Sequence, residues 1–431
     1  MTRLRAPGPT TALLAFLVPT MTPLILGTAA EAQVPTTPPS QAAPAQPSGG
    51  IPRGYALQAV SPHAHGTAVA ASLRIHAGSQ DDEPGLEGTA WLLGQVLQEQ
   101  ASRALDPALA QVSVEVGRAT TTVTLLAVPH GWTDSWAQVE RTAFQAPLDP
   151  TLLEAHRRTL LEQMAFEAGS PFRDFETEAV GMLAEPGSPF ARPLRGTPTS
   201  VATIGPAALE RFRDQAFRRE AAALAVVGPV DATPLLPPAG APAPEDGDVA
   251  WLIGDRVSLV RDVTNTWISV AYPVPTSLPR THLELLAHLM EEELDPTPPP
   301  PDRYGLDVRI EETPRGPVLV VEASVFPEAS AAWEARILGV VRRLADETMG
   351  EDFFRWRRRR FRASRLLEES APEAEARRLT GDLLRDGGVR DLGVELWSLD
   401  AAALRRAAAA LGAPRIFLLG PDLGQDGSRN P

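Results

Sequence analysis

Short apolar runs of strand length recur along this chain in two sets. The first covers residues 67–75, 111–118, 120–127 and 223–231, and the second covers 266–272, 305–311, 318–325 and 415–422. Runs of this length, bounded by Gly, Pro and polar residues, predict buried or half-buried strands. Stretches with helical spacing of apolar positions lie between and after them, at 207–217, 282–294, 353–365 and 401–411. Each set opens with a strand, a turn and a long helix. Two strands and a group of helices follow, and each set closes with a helix and a strand that ends in Gly-Pro, Gly228-Pro229 in one and Gly420-Pro421 in the other. This repeated order predicts an α+β protein of two homologous halves, each a mostly antiparallel sheet covered by helices.

At 431 residues and 43% hydrophobic content the chain is long enough for two such cores. Residues 33–53 are rich in Pro, Ala, Gln and Ser and read as a linker that buries too little apolar surface to fold. A second Pro- and Ala-rich stretch, 233–248, separates the halves, which gives domains at 54–232 and 249–423 and a polar tail at 424–431. The first 32 residues have the layout of a secretion signal: Arg3 and Arg5, an apolar stretch over 12–27, and Ala30-Glu31-Ala32 before the cleavage point. That stretch is too short to span a bilayer, and it contains Pro19 and Pro23. The mature protein is therefore expected in the periplasm or outside the cell, with no membrane span. A net charge of −14 argues against a nucleic-acid partner. Every basic residue is Arg, and with no Cys the chain has no disulfide framework, thiolate nucleophile or Cys-based metal site.

The candidate chemistry lies at the start of the first long helix. Gly78-Ser79-Gln80-Asp81-Asp82-Glu83-Pro84-Gly85 leads into Gly88-Thr89-Ala90-Trp91-Leu92-Leu93-Gly94-Gln95. This frame resembles the zinc-site segment of the pitrilysin/insulinase-like metallopeptidases, G-S-r-d-E-p followed by G-l-A-H-l-l-E-H. Further stretches are similar to that family in order and spacing: Leu160-Leu161-Glu162-Gln163-Met164 with Ser170-Pro171, Ser188-Pro189-Phe190 with Arg192-Pro193 and Gly196-Thr197, and the run 223–231. The resemblance spans residues 55–422. It implies a clamshell of two halves around a central cavity. In the family, two His separated by one helical turn hold zinc, a Glu between them is the base, and a downstream Glu is the third ligand. Here Trp91 and Gln95 stand at the His positions, Gly94 at the base and Gln163 at the third ligand, with Glu162 beside it. Trp cannot ligate zinc, a neutral amide is a poor ligand, and Gly has no side chain to activate water. No cofactor is expected.

In the second half, His288 and Glu292 have i, i+4 spacing with Glu291 between them, so this segment is a substitute metal site to weigh against an acidic helix end. Arg303 and Tyr304 lie near the positions where the family carries substrate-contacting Arg and Tyr, but out of register, and a Pro-rich loop replaces the preceding helix. His63 and His65 read as a surface pair. The Arg-rich segment 353–365 carries Trp356 and Phe361 and reads as a solvated helix face or an interface for an acidic partner. The resulting expectation is a non-catalytic family member. By resemblance to the subunits of mitochondrial processing peptidase, it pairs with an active homologous metallopeptidase and holds extended peptides. The alternatives are an active exported peptidase built around His288 and a stand-alone envelope scaffold.

Overall fold

The computed structural model describes residues 51–52, 54–184, 187–237 and 255–422. The expected signal at 1–32, all but two residues of the expected linker at 33–53, most of the linker at 233–248 and the tail lie outside the described residues.

The repeat read from the sequence is present element by element. The first half runs β1 (Leu57–Pro62), β2 (Val69–Ile75), α1 (Thr89–Ala104), β3 (Ala110–Val116), β4 (Thr121–Ala127), α2 (Trp132–Phe144), α3 (Pro150–Glu167), α4 (Pro171–Gly181), α5 (Pro198–Thr203), α6 (Pro206–Ala216) and β5 (Ala222–Gly228). The second half follows the same order: β6 (Arg256–Val260), β7 (Thr266–Pro273), α7 (Arg280–Leu294), β8 (Arg303–Thr313), β9 (Gly316–Val325), α8 (Ser330–Asp346), α9 (Glu351–Glu368), α10 (Pro372–Asp386), α11 (Leu392–Ser398), α12 (Ala401–Ala409) and β10 (Arg415–Gly420). Each half forms a five-stranded sheet, ordered β1-β5-β2-β4-β3 in one and β6-β10-β7-β9-β8 in the other. All pairings are antiparallel except β1 with β5 and β6 with β10. These two edge strands were not predicted from the sequence.

The two faces of each sheet are covered from different places. In β2, Val69, Ala71, Leu73 and Ile75 point into a core shared with the helices of the first half, including Leu93 and Leu97 of α1 and Leu153 and Leu160 of α3. Residues of alternate parity face the other way, as strand geometry requires. There Ala70, Ala223, Ala225 and Val227 meet Ala376, Leu379 and Leu383 of α10, a helix of the second half. The side chains on this face are small, and α10 lies close enough for the Ser72 and Thr380 hydroxyls to come within 3.4 Å. The second sheet is covered in the same way. Its own core holds Ile268, Val270 and Trp333, while its other face receives Phe175 and Ala179 of α4 against Phe417 and Leu419, and Leu183 and Phe190 against Val318 and Val320. The expected two-half clamshell therefore closes on helices, each half placing one on the sheet of the other. Among the described residues no helix is long and apolar enough to cross a membrane.

Candidate functional site

The start of α1 is held by the residues that carry the sequence resemblance. Asp82 is buried, and its carboxylate accepts the backbone N–H groups of Gly88 at 2.7 Å and Ala90 at 2.8 Å. It thus satisfies donors that a helix N-terminus leaves open. Burial pushes this carboxyl up to about 7, against the pull of the two N–H groups toward the ionised form. Gly88 has φ +100° and Gly196 φ +76°, and the two backbones nearly touch: a Cβ at Gly196 would lie 1.9 Å from the Glu87 carbonyl oxygen. Ser200, capped by Thr197, donates its hydroxyl to the same carbonyl at 2.8 Å.

Helix α3 lies antiparallel beside α1. At one end Gln100 donates to the Pro147 carbonyl and accepts from the Asp149 N–H. At the other end Arg195, whose carbonyl abuts Gly88, pairs with Glu167 at 2.6 Å. Trp91, Gln95 and Glu99 lie one turn apart on one stripe of α1, and His156 and Gln163 lie two turns apart on one stripe of α3. The contact between Glu99 and His156, 2.8 Å, shows that these stripes face each other. Trp91, Gln95 and Gln163 therefore share one helix pair. Trp91 is half-buried against the first core, Gln95 is half-buried, and Gln163 and Glu162 are exposed.

Gly94 has a packing role that sequence reasoning missed. It is buried where α1 crosses β3, and a Cβ there would come within 2.4 Å of Val116 Cγ2. Val is stiff at χ1, so this contact cannot be relieved by a simple rotation. The position that the resemblance assigns to the catalytic base is thus closed to a side chain in this packing. With an indole, two amides and a glycine at the key positions, the donor set does not fit a zinc ion. Among the described residues, no three His, Cys, Asp or Glu side chains come together to hold a metal.

The counterpart in the second half is the α7–α9 pair. His288 Nε2 is 3.6 Å from Glu292 Oε1, and burial lowers the pKa of the ring despite that carboxylate. Glu292 is already committed: Arg360 Nε lies 2.8 Å from one of its oxygens, and Arg357 bonds the other. A carboxylate clamped by two guanidinium groups is a poor cation ligand, and Glu291 is exposed to solvent. The spacing of Arg357 and Arg360, i and i+3, was the available signal for this clamp.

The other candidates separate. The Arg303 side chain is only 9% exposed; it bonds Asp295 at 2.6 Å and stacks over Trp333. Tyr304 is 64% exposed and rests on Phe326. Of this expected pair only Tyr304 offers its side chain to solvent. His65 is exposed, while His63 contacts Glu375 of α10 at 3.0 Å, and Ser61 lies 2.8 Å from the same carboxylate and 3.2 Å from His63 Nε2. These are the residue types of a hydrolytic triad, but one ring nitrogen serves both neighbours and the carboxylate accepts the hydrogen bond of the serine hydroxyl directly. The wiring is therefore that of a tether between β1 and α10.

No family model matches the sequence, and no curated relative does. The structure nevertheless matches solved chains over nearly its whole length. A peptidase M16 inactive domain from Pseudomonas fluorescens is similar with a TM-score of 0.66 and 14% identity, covering 86% of this chain and 96% of that one. A chain of complex III2 from Candida albicans matches with a TM-score of 0.65 and 13% identity over 86% and 95%. The periplasmic protease PqqL from Escherichia coli matches with a TM-score of 0.63 and 11% identity over 84% of this chain and 44% of that one. The chain has the two-half fold of the M16, or pitrilysin-like, peptidases.

Proposed function

We propose that this chain is an exported, non-catalytic M16-type subunit that assembles with an active homologous peptidase and helps hold extended peptides. The observation that carries this reading is Gly94. The framework around α1 is intact from Asp82 to Thr197, yet the position of the base is closed by Val116 and the three ligand positions carry Trp91, Gln95 and Gln163. The likeness to an inactive M16 domain and to a chain of a multi-subunit complex is consistent with it. The reading centred on His288 has less support, because Glu292 is already clamped by Arg357 and Arg360.

The test is elemental analysis of the mature chain, residues 33–431, prepared without chelator, followed by a peptide-cleavage assay of the chain alone and mixed with an exported homologue from the same organism that retains H-x-x-E-H. The expected result is no bound zinc, no cleavage by the chain alone, and co-purification with the homologue together with altered cleavage. Stoichiometric zinc, or cleavage by the isolated chain that is lost in His288→Ala, overturns the proposal. Absence of zinc with no homologue bound favours the stand-alone scaffold.

A further inference from the structure

We infer that the exposed seam of α9 is the docking face for an acidic amphipathic helix of the partner subunit, an inference that rests on the partnered reading above. Phe353, Trp356, Arg360, Ala363 and Leu367 recur at alternating spacings of three and four residues, which places them on one stripe. The opposite side of the helix is anchored in the second core by Phe354 and Phe361. The stripe itself faces solvent: Phe353 is 48% exposed, Trp356 44% and Leu367 75%. A helix whose outer side faced only water would be polar there.

The seam is also pre-ordered. The Phe353 and Trp356 rings stack at 5.9 Å and 18°, and Arg357 and Arg360 lie over the Trp356 ring at 5.7 and 5.6 Å. Rings held in this way lose little freedom on binding, and Trp and Arg are the residue types that dominate interface energies.

Charge selects the occupant. Helix α9 carries seven Arg against three acidic residues in a chain of net charge −14. Among the described residues no carboxylate pairs with Arg359, which flanks the seam. A second copy of this helix packed antiparallel about Arg360 would set guanidinium against guanidinium, so the seam disfavours pairing with itself. A flat anionic surface fits less well. The exposed Trp397 of α11 sits under Arg358, on the opposite side of the helix from Trp356, and one plane cannot reach both. A helix with apolar residues at the same spacing and carboxylates on its flanks meets the rings and the arginines together.

The test uses the mature chain and two labelled synthetic helical peptides, followed by fluorescence anisotropy. Both peptides carry Leu at alternating three- and four-residue spacing; one has Glu on its flanks and the other has Lys. The Glu peptide is expected to bind and the Lys peptide to fail. Trp356→Ala combined with Leu367→Ala weakens binding by at least about tenfold. Arg359→Ala weakens it and flattens its salt dependence. These side chains are exposed, so each variant keeps the wild-type melting temperature, and a variant that does not is replaced by Trp356→Gln. Equal binding of both peptides, binding of neither, or binding unchanged in the variants overturns the inference. Binding to phosphatidylglycerol vesicles in place of the Glu peptide also overturns it, in favour of a lipid surface. The partnered reading fails on a different readout, the homologue assay, so the two failures are distinguishable.

Discussion

The α1–α3 pair and the α7–α9 pair occupy the same place in the two repeats, yet they are held together by opposite chemistry. In the first half the facing stripes are nearly neutral, with Trp91, Gln95 and Gln163 near one end and a single Glu99–His156 contact farther along. In the second half the facing stripes are charged, and Glu292 is clamped by Arg357 and Arg360 beside His288. The helix starts differ as well. Asp82 reaches forward to cap α1, whereas Pro279 precedes α7 with no side-chain cap. The fold thus specifies two apposed helices over a sheet, and it leaves the chemistry between them open. A zinc site requires three ligands to converge there, and among the described residues neither pair gathers three His, Cys, Asp or Glu side chains.

The most forceful way to break this contrast is to write the family's chemistry back into the first half. Trp91→His, Gly94→Glu, Gln95→His and Gln163→Glu together are expected to yield a chain that neither binds zinc nor cleaves peptide. Gly94→Glu forces a side chain into Val116, at a cost above about 3 kcal/mol from overpacking and carboxylate burial. Adding Val116→Ala should recover part of the loss in thermal unfolding. A well-folded, zinc-loaded quadruple variant would show that α1 can move away from β3.

Next in size is Glu292→Gln, which leaves two guanidinium groups facing each other. We expect a loss of about 2–3 kcal/mol in denaturant unfolding, less than for a fully buried pair because Arg360 is largely exposed. A smaller effect comes from Asp82→Asn, expected to cost about 1 kcal/mol near neutral pH through the weakened cap. This variant also sharpens the comparison through pH. The carboxyl of Asp82 ionises near 7 in the folded chain and near 4 in the unfolded chain, so the folded state holds its proton over that interval. Stability from this group therefore falls as pH rises from about 4 to about 7, and the Asn variant should lack that fall. A wild-type and variant difference that stays constant across the interval would contradict the assignment. Smallest is Glu99→Gln, in a contact open to solvent on the Glu99 side, with about 1 kcal/mol or less expected.

Much of the repeat was legible because its signals are local. The strands at β2, β4, β7, β9 and β10 are apolar runs bounded by turns, and α7 has clear helical spacing. Edge strands β1 and β6 escaped because their identity depends on parallel pairing with β5 and β10, more than a hundred residues away, and Val257 and Val260 of β6 remain exposed. At the site, the resemblance alone places Trp91, Gln95 and Gln163 at the ligand positions. The closure at Gly94 could not be read from the sequence, since it depends on where Val116 falls on a neighbouring strand. The run of arginines in α9 was visible, but its division between a clamp on Glu292 and an exposed seam appears only once the helix is placed. The covering of each sheet by a helix from the other half was equally hidden. The apolar side of α10, with Ala376, Leu379 and Leu383, shows that something is covered without showing what.

That reciprocal covering gives the order of synthesis a physical meaning. Helix α4 is made before the second sheet, so its cover is waiting when β10 forms. Helix α10 is made long after the first sheet, whose Ala70, Ala223 and Ala225 face stays bare until Asp386 has left the ribosome. The N-terminal half must therefore pass much of its early life as a sheet wet on one side, the state in which strand edges and apolar faces attract chaperones and proteases. This ties the survival of the first half to the arrival of the second.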